Sequence, residues 1–157
     1  MSFQAQYFVP GEDTLRELGR LQVLHSQLDH ALRLAIKRML GISVDDPGYW
    51  NETRGMASTL REKARKLIAE RYADDDDKAS ILNKVLDDAE SATELRNRAL
   101  HSVWMKVQGQ EPFLHDRDNA SKAHVNFQLP TVADLSSISE RLQRIHRVLD
   151  VVTRELL

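Results

Sequence analysis

Lys78 to Trp104 reads KASILNKVLDDAESATELRNRALHSVW, and the spacing of its apolar residues predicts a helix. On a wheel of about 100° per residue with Ile81 at zero, Val85, Ala89, Ala92, Ala99, Leu100 and Val103 all fall within about 100° of it. One face of this segment is therefore built for a core. Three other stretches share the period. The first runs from about Asp13 to Leu40, with Leu18, Leu21, Leu28, Leu32, Ala35, Ile36 and Met39 as its stripe and Gly41 where a C-terminal cap belongs. After the turn signal Asp45-Asp46-Pro47-Gly48, the second spans roughly Glu52 to Tyr72, with Met56, Leu60, Ala64, Leu67 and Ile68 inward. The last begins near Thr131, behind Pro130, and carries Leu135, Ile138, Leu142, Ile145, Leu149, Val152 and Leu156.

These helices and their short connections predict an all-α fold, an up-down four-helix bundle, with residues 1–157 as a single domain. The stretch Met105–Pro130 is too long for a plain bundle connection. Rough alternation in Met105–Gln108 and His124–Leu129 predicts a small β-hairpin or long loop there, with Asp116-Arg117-Asp118-Asn119 at its polar tip. The run Asp74–Asp77 reads as a solvated charge run at a helix start, because acids favour that end of the dipole.

Composition narrows the function classes. No apolar run is long enough to span a membrane. The N-terminal residues show neither the basic start nor the apolar stretch of a signal peptide, so a cytoplasmic protein is expected. With no cysteine there is no disulfide framework and no thiolate metal site. The six histidines show no H-x-x-x-H or H-E-x-x-H spacing, so no metal is expected, and the six glycines form no phosphate loop. A net charge of −2 argues against a general nucleic-acid binder. Even so, the second helix concentrates Arg54, Arg61, Lys63, Arg65, Lys66 and Arg71 against Glu62 and Glu70. Arg61, Arg65 and Lys66 are its candidate phosphate contacts; the alternative is an ordinary solvated face. Trp50 and Trp104 are aromatic anchors, and Trp104 is expected to pack under the hairpin.

One residue of the third helix breaks its pattern. Arg96 lies at about 60° on the wheel, in the middle of the apolar stripe. A long cation there must be paired or face a polar cleft, since burying it alone costs several kcal/mol. Asn97 and His101 flank it one turn apart. Arg96 can be a fixed positive charge for a phosphate with His101 as its proton-transfer group, or a structural cation beside a surface histidine. The first helix offers an acid, Asp29, one turn beyond His25. Asp29 could orient the His25 imidazole or pair with Arg96 across the helices; the second is the stronger expectation, because Arg96 needs a partner more.

Arg96-Asn97-Arg98-Ala99-Leu100-His101 is an R-N-x-x-x-H motif, and Leu95 to Trp104 (LRNRALHSVW) resembles small bacterial proteins of the HEPN superfamily (higher eukaryotes and prokaryotes nucleotide-binding domains). The resemblance covers most of the chain in architecture and about ten residues in sequence. It implies a metal-independent endoribonuclease without cofactor, of the kind found as toxins and in phage defence, working as a homodimer on RNA and opposed in toxin systems by an antitoxin protein. Arg96, Asn97 and His101 would be its catalytic residues, with Asp29 and His25 in support. Better-known toxins often carry a tyrosine two residues after the histidine; here Val103 stands there. The same resemblance fits a non-catalytic module that binds a nucleotide, RNA or protein.

Overall fold

The computed structural model describes residues 5–117 and 124–155. The chain is mostly helical and adds a four-stranded antiparallel sheet. In order it forms β1 (Ala5–Tyr7), α1 (Glu12–Leu40), α2 (Ala57–Arg71), α3 (Asp76–His101), β2 (Val103–Val107), β3 (Phe113–Arg117), β4 (His124–Gln128) and α4 (Val132–Glu155). α1 packs on the other three helices, and α3 packs on α2 and α4 as well. No helix among the described residues is long and apolar enough to cross a membrane.

The expected stripe of α1 is buried along its whole length. Gly41 ends that helix in the left-handed region, φ 66°, where only glycine carries no Cβ penalty, and its N–H donates to the Arg38 carbonyl at 3.0 Å. α2 starts later than its periodicity suggests. Met56 is 77% exposed and precedes the helix instead of facing inward. The reason lies in α1: Arg33 donates to the carbonyls of Thr53 and Gly55 and holds that segment as a loop, with Gly55 at φ 120°. Asp75 caps α3 by accepting from the Lys78 N–H at 3.1 Å, so the acidic run does begin a helix. Thr131 and Asp134 exchange side-chain-to-backbone bonds of 3.0 and 2.9 Å at the start of α4.

Leu82 and Leu86 are at the centre of the buried face of α3, while Ile81 is half-exposed and lies off it. Leu21, Ile36, Leu60, Ile68, Leu86, Leu135 and Leu142 are almost fully buried between the helices. Cutting any of these leucines back to alanine should cost about 2–5 kcal/mol. At the far end of α1, Arg38 reaches α4 through Thr153 Oγ1 at 2.8 Å and Asp150 Oδ1 at 3.3 Å.

The hairpin expectation is corrected to a larger sheet, ordered β1-β2-β3-β4. α3 stops at His101 rather than continuing to Trp104, because Val103-Trp104-Met105 pair with β3 and Met105-Lys106-Val107 pair with β1. Asp116 and Arg117 belong to β3, not to a hairpin tip; Asp118 and Asn119 lie outside the described residues. Leu114 of β3 is 1% exposed and anchors the sheet on α3. The sheet forces the chain into extended backbone at Ser102, immediately after His101. His101 thus becomes the last residue of α3.

Candidate functional site

The helix α3 brings Arg96, Asn97 and His101 to one place. The Arg96 side chain is 8% exposed, as its position in the stripe requires, whereas Asn97 and His101 are exposed. Among the described residues the guanidinium makes three bonds, all to neutral acceptors. Nη1 donates to Asn97 Oδ1 at 2.6 Å and to His101 Nε2 at 3.3 Å, and Nη2 donates to Gln22 Oε1 on α1. A guanidinium has no acceptor, so His101 must offer its Nε2 lone pair, which puts the neutral ring's proton on Nδ1. Arg96 Nε is buried and has no partner among the described residues. Burial pulls the Arg96 pKa below its ordinary value, yet a guanidinium stays charged throughout the physiological range.

Asp29 does not pair with Arg96. Its Oδ2 lies 3.0 Å from Arg33 Nε, one turn along α1. The correction has a geometric cause: Arg96 sits level with Gln22, about two turns nearer the start of α1 than Asp29. Asp29 therefore joins Arg33 in bracing the loop at Thr53 and Gly55. Among the described residues Arg96 has no carboxylate partner at all.

His25 lies half-buried between the two groups. Its Nε2 is 3.4 Å from Thr93 Oγ1, and that hydroxyl gives its own proton to the Ala89 carbonyl at 2.7 Å. The imidazole is therefore the donor, through Nε2–H. Burial lowers the His25 pKa from its usual value, and the Arg96 charge lowers it further; Asp29 opposes these effects without reversing them. A cavity of about 20 Å³ lies against His25, Asp29, Arg61 and Thr93, room for about one water.

The second-helix cations divide. Arg61 points inward, 9% exposed, with Nε unpartnered among the described residues and Nη2 4.0 Å from Glu90 Oε1. Arg65 is neutralised across the helix pair by Asp87 at 2.8 Å and Glu90 at 3.2 Å. Lys66 is exposed. The three do not make one phosphate-binding face. Trp104 is half-buried in β2, edge-on to Phe8 at 6.0 Å, with its Nε1–H 3.4 Å from the Ala99 carbonyl.

Two members of the site escaped the sequence analysis, Gln22 and Thr93. Each lies three residues before a residue already singled out, Gln22 before His25 and Thr93 before Arg96, so helix spacing was the available signal. Among the described residues no group of three histidine, cysteine, aspartate or glutamate side chains could hold a metal ion. The chain matches no family model, no curated protein and no solved structure.

Proposed function

We propose that this chain is a metal-independent endoribonuclease of the HEPN type, an up-down helical bundle that acts as a homodimer and serves as a toxin or phage-defence component. What supports the reading most is the state of Arg96. It is a buried cation bonded, among the described residues, only to neutral groups, one of which is the histidine of the same motif. A cation so placed lacks an anion, and a phosphodiester would supply one.

The chemistry uses the RNA itself as nucleophile. The 2′-hydroxyl attacks the adjacent phosphorus, the 2′-O–P bond forms and the P–O5′ bond breaks, leaving a 2′,3′-cyclic phosphate and a 5′-hydroxyl. One proton leaves the 2′-oxygen and one arrives on the 5′-oxygen. His101 is the general acid or base for one of these transfers, with its Nε2 lone pair already turned to the guanidinium. Arg96 offsets the charge that builds on the phosphorane oxygens. Asn97 holds the Arg96 fork beside His101 through its Oδ1. In a homodimer the partner's His101 would serve the other transfer.

The test is cleavage of single-stranded RNA by the purified protein with EDTA present. Wild type should cut, and His101→Ala should lose at least about a hundredfold in rate. Equal rates would remove His101 from the mechanism.

One observation favours a second reading, a non-catalytic module that binds a nucleotide, RNA or protein. Arg96 also ties α3 to α1 through Gln22, which is a structural duty. If that is its only role, Arg96→Ala lowers the melting temperature sharply and no RNA is cut by any variant.

A further inference from the structure

The loop between α1 and α2 holds an aromatic corner that the chemistry above does not use. Trp50 is 73% exposed. Tyr49 meets it edge-on, with centroids 5.0 Å apart and planes at 86°. Lys37 of α1 is buried against both rings, its ammonium 3.4 Å from the Tyr49 centroid and 4.7 Å from that of Trp50. The indole therefore rests beside a cation while most of its surface stays exposed. A tryptophan kept for packing alone would turn its ring inward, since burial of a large apolar side chain is favourable. The supports do the reverse. They hold an exposed ring at a fixed tilt, which removes the entropy cost of ordering it on binding.

This corner is joined to Arg96 by a polar seam. Gln22, His25, Asp29, Arg33 and Lys37 recur at three- and four-residue intervals and share one face of α1. Gln22 accepts from Arg96, His25 meets Thr93, Asp29 meets Arg33, Arg33 holds the loop carbonyls, and Lys37 lies under the rings. The seam's one carboxylate, Asp29, is engaged by Arg33, and Glu52 of the adjoining loop by Lys63 at 2.6 Å. From Gln22 to Lys37 the helix rises about 22 Å. A few nucleotides of single strand span that length, at the low end of the roughly 4–16 nucleotides that single-strand sites cover.

We propose that Trp50 is a stacking platform for a base of single-stranded RNA whose reacting phosphate lies at Arg96 and His101. The proposal rests on the ribonuclease reading and names how that site holds its substrate. Stacking tolerates any base, because every base has a π-face, so Trp50 sets the position of the strand rather than its sequence. Val44 and Met56 are also exposed in this loop, which would suit a protein partner. The seam of charged and polar groups leading to Arg96 favours RNA.

The probe is a fully 2′-O-methylated oligouridine of about ten residues, long enough for such a site and blocked at the attacking hydroxyl. In Trp104→Phe the indole of Trp50 is the reporter, and its fluorescence should be quenched saturably, with affinity falling as salt rises. Trp50→Leu should weaken binding about tenfold, and Trp50→Phe, which keeps a π-face, should restore most of it. Equal affinities of wild type and Trp50→Leu overturn the platform, as does saturable binding without quenching. If wild type also cleaves unmodified RNA in that case, the ribonuclease reading survives alone. Trp50-dependent binding without cleavage by any variant supports the platform and overturns the nuclease. No binding of the probe overturns the platform in favour of a protein-docking loop.

Discussion

Two sets of arginines on neighbouring helices meet opposite fates. On α2, Arg65 lies between Asp87 and Glu90 of α3, and Arg61 leans toward Glu90. On α3 itself, Arg96 is as deeply buried as Arg61, but among the described residues it hydrogen-bonds only to Gln22, Asn97 and His101. Before folding, the α2 cluster looks like the basic patch and Arg96 like a misfit. After folding, Arg61, Lys63 and Arg65 of the patch face carboxylates and the misfit keeps its charge. Charge density along a sequence thus says little about which cation remains available to an anion. What decides is whether a neighbouring helix presents a carboxylate at the same level.

Breaking the Arg96 arm should have the largest effect. Arg96→Met fills similar space without charge. Because only neutral acceptors are lost, stability should change by about 1 kcal/mol or less, and it can rise. RNA cleavage should fall by about 10²–10³-fold if the guanidinium stabilises the developing phosphorane charge. Thermal melting and single-turnover cleavage on the same preparation check both halves. A large loss of stability would place Arg96 among the structural cations.

The other arm can be converted into the first. Asp87→Asn with Glu90→Gln removes the acids facing Arg61 and Arg65 while keeping their shape. RNA affinity should rise several-fold and its salt dependence steepen, because freed cations release counterions on binding. An unchanged salt slope in a filter-binding titration would mean that α2 lies away from the strand.

His25 gives a smaller effect with a defined direction. Its folded pKa is lowered by burial and by the Arg96 charge, so the unfolded chain binds the proton more tightly. The stability contributed by neutral His25 is full above the ordinary imidazole value of about 6.5 and is lost as pH falls from there toward the lowered folded value. Denaturant melts between pH 7.5 and 5.5 should show wild type losing stability, with a shallower loss in His25→Gln (pH range set about the histidine value of roughly 6.5). In Arg96→Met the loss should be shallower too, since one cause of the shift is gone.

Arg65→Ala should do least. Its ion pairs are partly exposed, and such pairs are each worth about 0.2–1 kcal/mol. Cleavage should change by less than about twofold, because this cation is already neutralised. A strong loss of cleavage would erase the difference between the two arms.

Much of the fold was legible in the sequence because helices are written locally. The stripe of α1, the Gly41 cap and the acidic start of α3 depend on residues a turn or two apart, and each appears where the spacing predicted it. The sheet was not legible. β1 has three residues, all exposed, and no alternation to announce it. β3 buries one fully apolar anchor, Leu114, among Phe113, His115, Asp116 and Arg117. Pairing between residues 5–7 and 105–107 has no signature within either segment. The same holds at the site. Arg96 among apolar neighbours announced itself, but its spacing pointed to Asp29, and Gln22 showed as the partner only once the helices were set against each other.

The sequence by itself determined that Arg96 would be buried on a helix with Asn97 and His101 beside it, because one helical period fixes all three. The tertiary structure alone decided what Arg96 holds and where His101 ends up. The axial level of α1 against α3 gave Gln22 to Arg96 and left Asp29 to Arg33. Strand pairing after Ser102 ended α3 at His101 and left it exposed at the helix terminus. Both are contacts between distant segments, set by how whole helix and sheet surfaces pack, and no local spacing encodes them.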